Sequence, residues 1–521
     1  MAESERPVAR MRSAAWRLPG AATLVVVLAA ALPRLPTLAE PLAMDQALFA
    51  VIGEGILRGE RLYVDLWDHK PPAIYVLYAA IIGVAGRAPW AVALAGLAAA
   101  VGTALLLRSL VALRCGARAG LLTGTLYGLL ANPILLGGFY ATSQAEVFME
   151  TLVVAALFVA ARADRPPGLG EGLALGVAAL FKPTALLFAP LVLLGGRRAH
   201  GERAARPRVP GGPALRRFAL GLAAPALLAL AYVAASGALG AAFDALVTWN
   251  LGAARAAAAS REGLRAISPT LTGVLGALFD GVLLLGPFLA VALVGATISR
   301  ARALPLAWLA AALVSVLVQG KFYRYQYQPL LAPLVWLSAL GLGEAASLVA
   351  RRAPRARHAV LSLVAILALI SLLPYAATIR AYWAGHRYRF PVPTGRAREE
   401  MLDTYAWSDP PMRYADAARV AARIRAESAP DERLAVLGFD PQIYLLARRA
   451  PAVRYLAHDH LRAPGAASRL ASDLSRRRPR WVVVATDQVA TSDFPEATAW
   501  IAEHTEARGT IGRFALFERT R

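Results

Sequence analysis

Long apolar runs recur along this chain. Each is about 20 residues, the length a helix needs to cross the roughly 30 Å hydrocarbon layer of a bilayer. Of the 521 residues 57% are apolar, and the mean hydropathy is +0.49. No soluble globular protein needs that much apolar surface, so the sequence predicts a polytopic α-helical membrane protein. The expected spans are 18–38, 89–108, 118–138, 145–162, 169–181, 183–196, 214–237, 271–297, 303–319, 327–349 and 358–378, about 11 in all. One cysteine, Cys115, excludes an intrachain disulfide and any multi-cysteine metal site. No small-residue cleavage site clearly follows the first run, which therefore reads as a retained anchor.

The net charge of +22 lies mostly on arginines in short loops. That pattern points to positive-inside topology and lipid contact, not to a nucleic-acid partner. Arg6, Arg10, Arg12 and Arg17 precede the first span. Arg108, Arg114 and Arg118 separate the second from the third, and Arg162 and Arg165 follow the fourth. Further clusters lie at 197–217, 300–302 and 351–357. All fall on one face if the N-terminus is cytoplasmic and 71–86 does not cross. The expectation is that 71–86 dips into the outer face and returns. Spans 169–181 and 183–196 are short and meet at Lys182-Pro183, which reads as a shallow hairpin with its tip toward the outer face.

The outer segments are then 39–88, 139–144, 238–270 and 320–326. The tail, 380–521, also lies outside and changes character. Strand-like runs at 433–439 and 480–485, flanked by helical patterns at 412–427 and 494–506, predict a small soluble α/β domain. The expected division is therefore 1–379, the membrane domain with its first outer loop at 39–88, and 380–521, the extracytoplasmic domain.

Fifty-three of the fifty-six basic residues are arginine. The three lysines, Lys70, Lys182 and Lys321, each border an apolar stretch on the same expected face. An ammonium is a good point charge for a phosphate, so three converging lysines suggest a site for a lipid-linked phosphate. The plainer reading is genomic arginine bias, with the lysines snorkelling at the interface.

Acidic residues crowd the first outer loop: Glu40, Asp45, Glu54, Glu60, Asp65 and Asp68. Asp45 opens a helical pattern, where it is either an N-cap or a carboxylate placed to act as general base. Glu146 opens the fourth span and is either a second acid or a dipole-favoured first-turn residue. Tyr323, Tyr325 and Tyr327 alternate with polar and basic residues, as an interfacial aromatic belt also would.

The series Asp45-Gln46, Gly55, Gly59, Tyr63, Asp65 and Trp67-Asp68-His69-Lys70-Pro71-Pro72 resembles the first extracytoplasmic loop of GT-C glycosyltransferases. The bacterial branch related to protein O-mannosyltransferases and the lipid A aminoarabinose transferase is the most similar. Asp45 matches the family's first acid, Lys70-Pro71 its Lys-Pro helix start, and Lys182 the lysine ending a Gly-rich helix. Lys321 through Pro329 match a late Tyr-rich basic loop, and Val436 through Tyr444 resemble part of the C-terminal domain. Gln46 stands where many relatives have Glu. Losing that carboxylate weakens the argument for a divalent cation, which remains the one possible cofactor.

The resemblance implies an inverting transferase that uses a polyprenyl-phosphate sugar at the outer face of a bacterial plasma membrane. Asp45 would be the base, with Glu146 as a second candidate. Lys70, Lys182, Lys321 and Arg324 would meet the donor phosphate, and Tyr63, His69, Tyr140, Tyr323 and Tyr325 would line the substrates. The acceptor is open between a glycan, a lipid and a protein, and membrane lipids are the other partners. No metal ligand set is expected. His69 is a candidate proton relay, but no second histidine pairs with it locally, which speaks against a metal role; His458-Asp459-His460 is a candidate metal pair, against which three adjacent residues cannot all face one site from a strand. Two other classes stay open: a flippase for lipid-linked sugars, and a glycan ligase using a polyprenyl-diphosphate donor. A flippase would place charges at mid-membrane and often carries inverted repeats.

Overall fold

The computed structural model describes residues 20–131, 142–163, 165–195, 211–252, 286–320, 323–352, 414–463, 465–489 and 494–520. Tyr140, Lys321, the expected span 358–378 and the first half of 271–297 lie outside them. The described chain is mostly helical, with one four-stranded sheet near the C-terminus. By packing, it forms two units: Met1–Thr37, Ala93–Leu228 and Ala256–Tyr382 in the first; Leu38–Val92, Ala229–Arg255 and Trp383–Arg521 in the second. One cut, Tyr382/Trp383, lies close to the expected boundary at 379/380, and by packing the first outer loop goes with the tail.

In the first unit α1 (Gly20–Ala31) gives way to a 3-10 turn over Leu32–Ala39. Pro33 and Pro36 lack the amides an α-helix would need there. Two further elements of the chain, α2 (Met44–Leu57) and α3 (Ala73–Ala85), belong to the second unit. The first unit resumes within α4 (Pro89–Cys115) and continues through α5 (Ala117–Leu130), α6 (Ala145–Arg162), α7 (Leu169–Phe181), α8 (Ala189–Gly195) and α9 (Gly212–Ala235). It closes with α10 (Gly286–Ile298), α11 (Ala303–Gln319) and α12 (Leu331–Arg352). Among the described residues α4, α9 and the stretch Arg324–Leu348 are long and apolar enough to cross a membrane.

Burial differs between these helices as a bilayer would demand. On α9 Leu220, Leu227 and Leu228 are 66%, 62% and 73% exposed, a face suited to lipid tails. On α12 Val335, Trp336 and Ala339 are buried, which marks an interior helix. Small residues let backbones approach where apolar attraction between helices is weak. A Cβ added at Gly341 of α12 would lie 2.8 Å from the Gly295 amide nitrogen of α10.

The expected hairpin around Lys182 has a local cause. Lys182 is extended (φ −155°, ψ 120°) and Pro183 starts a 3-10 turn over Pro183–Phe188, so α7 cannot continue. The Gly195 carbonyl at the end of α8 accepts a hydrogen bond from Arg114, at the end of α4. The α7–α8 segment therefore returns toward the end of α4 that carries the arginine cluster.

In the second unit α2 and α3 pack tightly. A Cβ at Gly53 would stand 2.7 Å from the Ala79 amide nitrogen. With 13 residues α3 is about 20 Å long, less than a bilayer's apolar thickness. The sheet runs β1-β2-β4-β3, with β1 (Leu434–Leu437) parallel to β2 (Trp481–Ala485) and the remaining pairs antiparallel. Strands β1 and β2 match the expected runs and are buried throughout. The hairpin of β3 (Thr505–Ile511) and β4 (Phe514–Arg519) had no apolar signal, because β3 is a largely exposed edge strand. Helices α13 (Tyr414–Glu427), α14 (Gln442–Ala447), α15 (Ala466–Arg477) and α16 (Pro495–His504) complete the tail.

Candidate active site

Asp45 lies in the first turn of α2, but the N-cap is Ala43, which carries no side-chain cap. The capping role considered for Asp45 is thus not the one observed. Its carboxylate instead sits 3.6 Å from the Lys70 ammonium. Lys70 is also 4.0 Å from Asp68 and lies over the Phe49 ring, 4.8 Å from its centroid. These are longer than tight charge-assisted contacts of about 2.7–2.9 Å. The ammonium is positioned among two carboxylates and an aromatic face without being locked to either acid.

The backbone of Lys70 is held as well. The Tyr63 hydroxyl donates to the Lys70 carbonyl at 2.9 Å. Tyr63 is itself buried, in the left-handed region at φ 70°. Tyr63 is the residue expected to line the substrate, and this hydrogen bond also makes it a support of the loop. The Asn250 amide donates to the His69 carbonyl at 3.1 Å, and the His69 ring stacks on Trp249 with centroids 4.2 Å apart.

Asp68 is the buried centre of this loop. Its Oδ2 accepts from the Tyr75 hydroxyl at 2.7 Å, and its Oδ1 accepts from the His69 amide at 2.6 Å. His460 approaches from the tail, with Nε2 3.3 Å from Asp68 Oδ1. Burial pushes the Asp68 carboxyl up, but the charge of Lys70 and the interactions with His69 and His460 outweigh it. The carboxyl is held well below its ordinary value. Sequence spacing offered His69 no partner, yet His460 lies beside it, ring centroids 5.6 Å apart. Residues His458–Arg462 form a 3-10 turn, not a strand, so His460 points in while Asp459 is largely exposed.

The first unit holds a second set. Glu146, in the first turn of α6, is paired with Lys182, which lies 5.9 Å from the centroid of the Tyr325 ring. Tyr323 and Tyr325 lean together with centroids 5.7 Å apart. Arg324 and Tyr323 are exposed, whereas Tyr327 is buried and so is not part of an interfacial belt. One turn beyond Glu146, Glu150 accepts from the Tyr127 hydroxyl at 2.7 Å and from Gln328 at 3.1 Å. Arg34, inside the first expected span, is buried and donates to the Ala131 and Thr142 carbonyls.

Asp45, Lys70 and His69 are thus brought together in one unit, and Glu146, Lys182 and Tyr325 in the other. Sequence reasoning missed the supporting residues Tyr75, Trp249 and Asn250 in one set and Tyr127, Glu150 and Gln328 in the other, and it did not connect His460 with the first outer loop. Only Glu150 carried a visible signal, a second carboxylate four residues after Glu146 in an apolar run.

No protein-family model matches the chain, and no curated protein matches it. Among solved structures, ArnT from Cupriavidus metallidurans in the apo state matches with a TM-score of 0.51 at 15% identity, covering 95% of this chain and 97% of ArnT. ArnT bound to undecaprenyl phosphate matches with a TM-score of 0.48 at 14% identity, over 99% and 98% of the two chains. The Archaeoglobus fulgidus oligosaccharyltransferase in its apo form matches at 0.49 and 16% identity, over 96% of this chain and 74% of its own. At these identities the likeness is one of fold, and it rests on apo ArnT. The chain shares the GT-C fold of apo ArnT.

Proposed function

We propose that this protein is an integral membrane glycosyltransferase that moves a sugar from a polyprenyl-phosphate donor to an acceptor at the extracytoplasmic face, with inversion. The observation that carries this reading is the juxtaposition of Asp45 and Lys70, 3.6 Å apart on the first outer loop. One carboxylate and one ammonium supply both charges the reaction needs. The acceptor hydroxyl or amine attacks the anomeric carbon as the bond to the phosphate oxygen breaks. Negative charge then grows on the departing polyprenyl phosphate, where a preorganised cation lowers the barrier. The acceptor's proton passes to Asp45.

The loose Asp45–Lys70 geometry suits this sequence of events. An arriving phosphate takes Lys70 as its counter-charge, and Asp45 takes the acceptor's proton. The resemblance assigns Lys182, Lys321 and Arg324 to donor-phosphate binding, and Glu146 is assigned to holding Lys182. A fold shared with ArnT, a protein solved with undecaprenyl phosphate, supports this choice of donor class. The orientation that goes with it places the N-terminus in the cytoplasm and the tail outside.

The test is single-turnover transfer from a polyprenyl-phosphate sugar. Asp45→Asn is expected to lose about 10²–10⁴-fold in rate with donor affinity largely kept. Retention of most of the rate by this variant, with loss in Glu146→Gln, would move the base to Glu146.

A further inference from the structure

Glu150 is an acid that the proposed chemistry does not use. It lies in α6, inside the expected span 145–162, and is 2% exposed. An ionisable group in such a place is a functional candidate by default. Its Oε2 accepts from two side chains, the Tyr127 hydroxyl on α5 at 2.7 Å and the Gln328 amide at 3.1 Å. Both donors are buried, so these bonds are the ones that satisfy them.

Gln328 belongs to the 3-10 turn Arg324–Leu330, which leads into α12. The turn is weakly supported from within. Its hydrogen bonds are poorer in geometry than those of an α-helix, and Pro329 supplies no amide. Tyr323, just before the turn, and Arg324 are exposed, while Gln326, Tyr327 and Gln328 are buried. Glu150 therefore fixes the buried edge of a turn whose exposed edge carries Arg324. The same helix reaches the turn a second time. Glu146 stands one helical turn before Glu150 on the same face. It is paired with Lys182, which lies 5.9 Å from the centroid of the Tyr325 ring. The two carboxylates of α6 thus meet the turn at two points, Glu146 through Lys182 at Tyr325 and Glu150 directly at Gln328.

We propose that Glu150 is a positioning residue for the donor site: by holding Gln328 it sets where Arg324 and Tyr325 stand. The inference rests on the assignment of Lys182 and Arg324 to the donor phosphate. Being buried, Glu150 acts through Gln328 and not on the donor itself. A binding group is only as well placed as the residues behind it. The role needs an acceptor of the right length. The amide oxygen of glutamine can take both bonds, whereas leucine can take neither.

Hydrogen exchange of residues 323–330, in the full-length protein in detergent, reads the turn without any substrate. Glu150→Leu is expected to speed that exchange by roughly 3–10-fold, the factor one such hydrogen bond is worth. Gln328→Met removes only the donor, leaves α6 intact and should do the same. Glu150→Gln should recover most of the loss. Thr151→Val is the control on the neighbouring residue. It breaks the contact between the Thr103 and Thr151 hydroxyls, 2.8 Å apart, and should lower Tm while leaving the exchange of 323–330 unchanged. In transfer from a polyprenyl-phosphate sugar, Glu150→Leu and Gln328→Met are expected to raise donor KM by roughly the same 3–10-fold with kcat kept. Exchange at the wild-type rate in both variants overturns the inference. Faster exchange with unchanged donor KM also overturns it, because Glu150 would then be a packing residue only. Wild type that transfers nothing from such a donor sinks the transferase reading instead. Titration with undecaprenyl phosphate then decides the inference: Glu150→Leu should bind it roughly 3–10-fold more weakly than wild type, and equal affinity, or no binding by either, overturns it.

Discussion

Lys182, at the end of α7, is paired with Glu146, at the start of α6. The Glu146 side chain is 2% exposed and that of Lys182 18%. Removing one member of such a pair leaves a poorly solvated charge, which can cost about 3–5 kcal/mol, whereas replacing both with apolar groups of similar size is often close to neutral. Thermal unfolding in detergent is therefore expected to rank the Glu146→Gln/Lys182→Met double variant above Lys182→Met alone. If Glu146 serves by holding Lys182, Glu146→Gln should raise KM for the donor more than it lowers kcat. An equal loss in kcat and kcat/KM would assign Glu146 to the chemical step.

The loop that carries Lys70 gives a second expectation. Tyr63 holds φ at 70°, where a non-glycine residue is strained, and it donates to the Lys70 carbonyl at 2.9 Å. Tyr63→Phe keeps the ring and removes that bond, so it should cost about 0.5–1.5 kcal/mol of stability. It should also lower transfer, because the lysine's backbone is less well fixed. Tyr63→Phe with unchanged transfer and unchanged Tm would show that the hydrogen bond contributes nothing to positioning.

The sequence carried the membrane class and the position of Asp45 and Lys70, because apolar runs and Lys-Pro are local signals. It did not carry the company these residues keep. His460 meets Asp68 only in the fold, and no spacing rule connects 68 with 460. Tyr75 and Tyr127 look like ordinary aromatic residues in apolar helices until their hydroxyls are seen to meet buried carboxylates. The N-cap reading of Asp45 failed by two positions, since helix entry is fixed by the backbone of Ala43 and Met44 rather than by the nearest acid. The edge strand β3 was invisible for a different reason: an exposed strand needs no apolar face.

Acid should loosen the contact between the first outer loop and the tail. Burial raises the Asp65 carboxyl, but hydrogen bonds from the Arg61 side chain and amide, with the Arg61 and Arg477 charges, outweigh it and hold its pKa below the ordinary value. A folded-state pKa below the unfolded one contributes stability above about pH 3.9, which is lost as pH falls through the folded value. Asp65 is only partly buried, so solvent screening keeps the contribution small. The Tm of wild type is expected to fall more steeply than that of Asp65→Asn as pH is lowered from 5 to 3. Parallel pH profiles would remove Asp65 from the account.

The most discriminating substitution keeps the charge and changes only its shape. Arginine fills nearly every other cationic position in this chain, so a lysine that tolerates arginine needs no functional explanation. Lys70 lies over Phe49 at 4.8 Å and beside Asp45 at 3.6 Å, with Pro71 and Pro72 restricting the backbone that follows. A guanidinium there would reach both Asp45 and Asp68 as a planar fork and form the tight pairs that the ammonium does not. Lys70→Arg is therefore expected to sequester Asp45 and to lose transfer, by about 10–150-fold if one charge-assisted phosphate contact of 1.5–3 kcal/mol is forfeited. The protein should still insert and fold, because the charge is unchanged. Donor titrations of Lys70→Arg and of the triple variant at Lys70, Lys182 and Lys321 provide the measurement. Wild-type transfer in the triple variant would reduce the three lysines to remnants of composition and remove the phosphate site from this face.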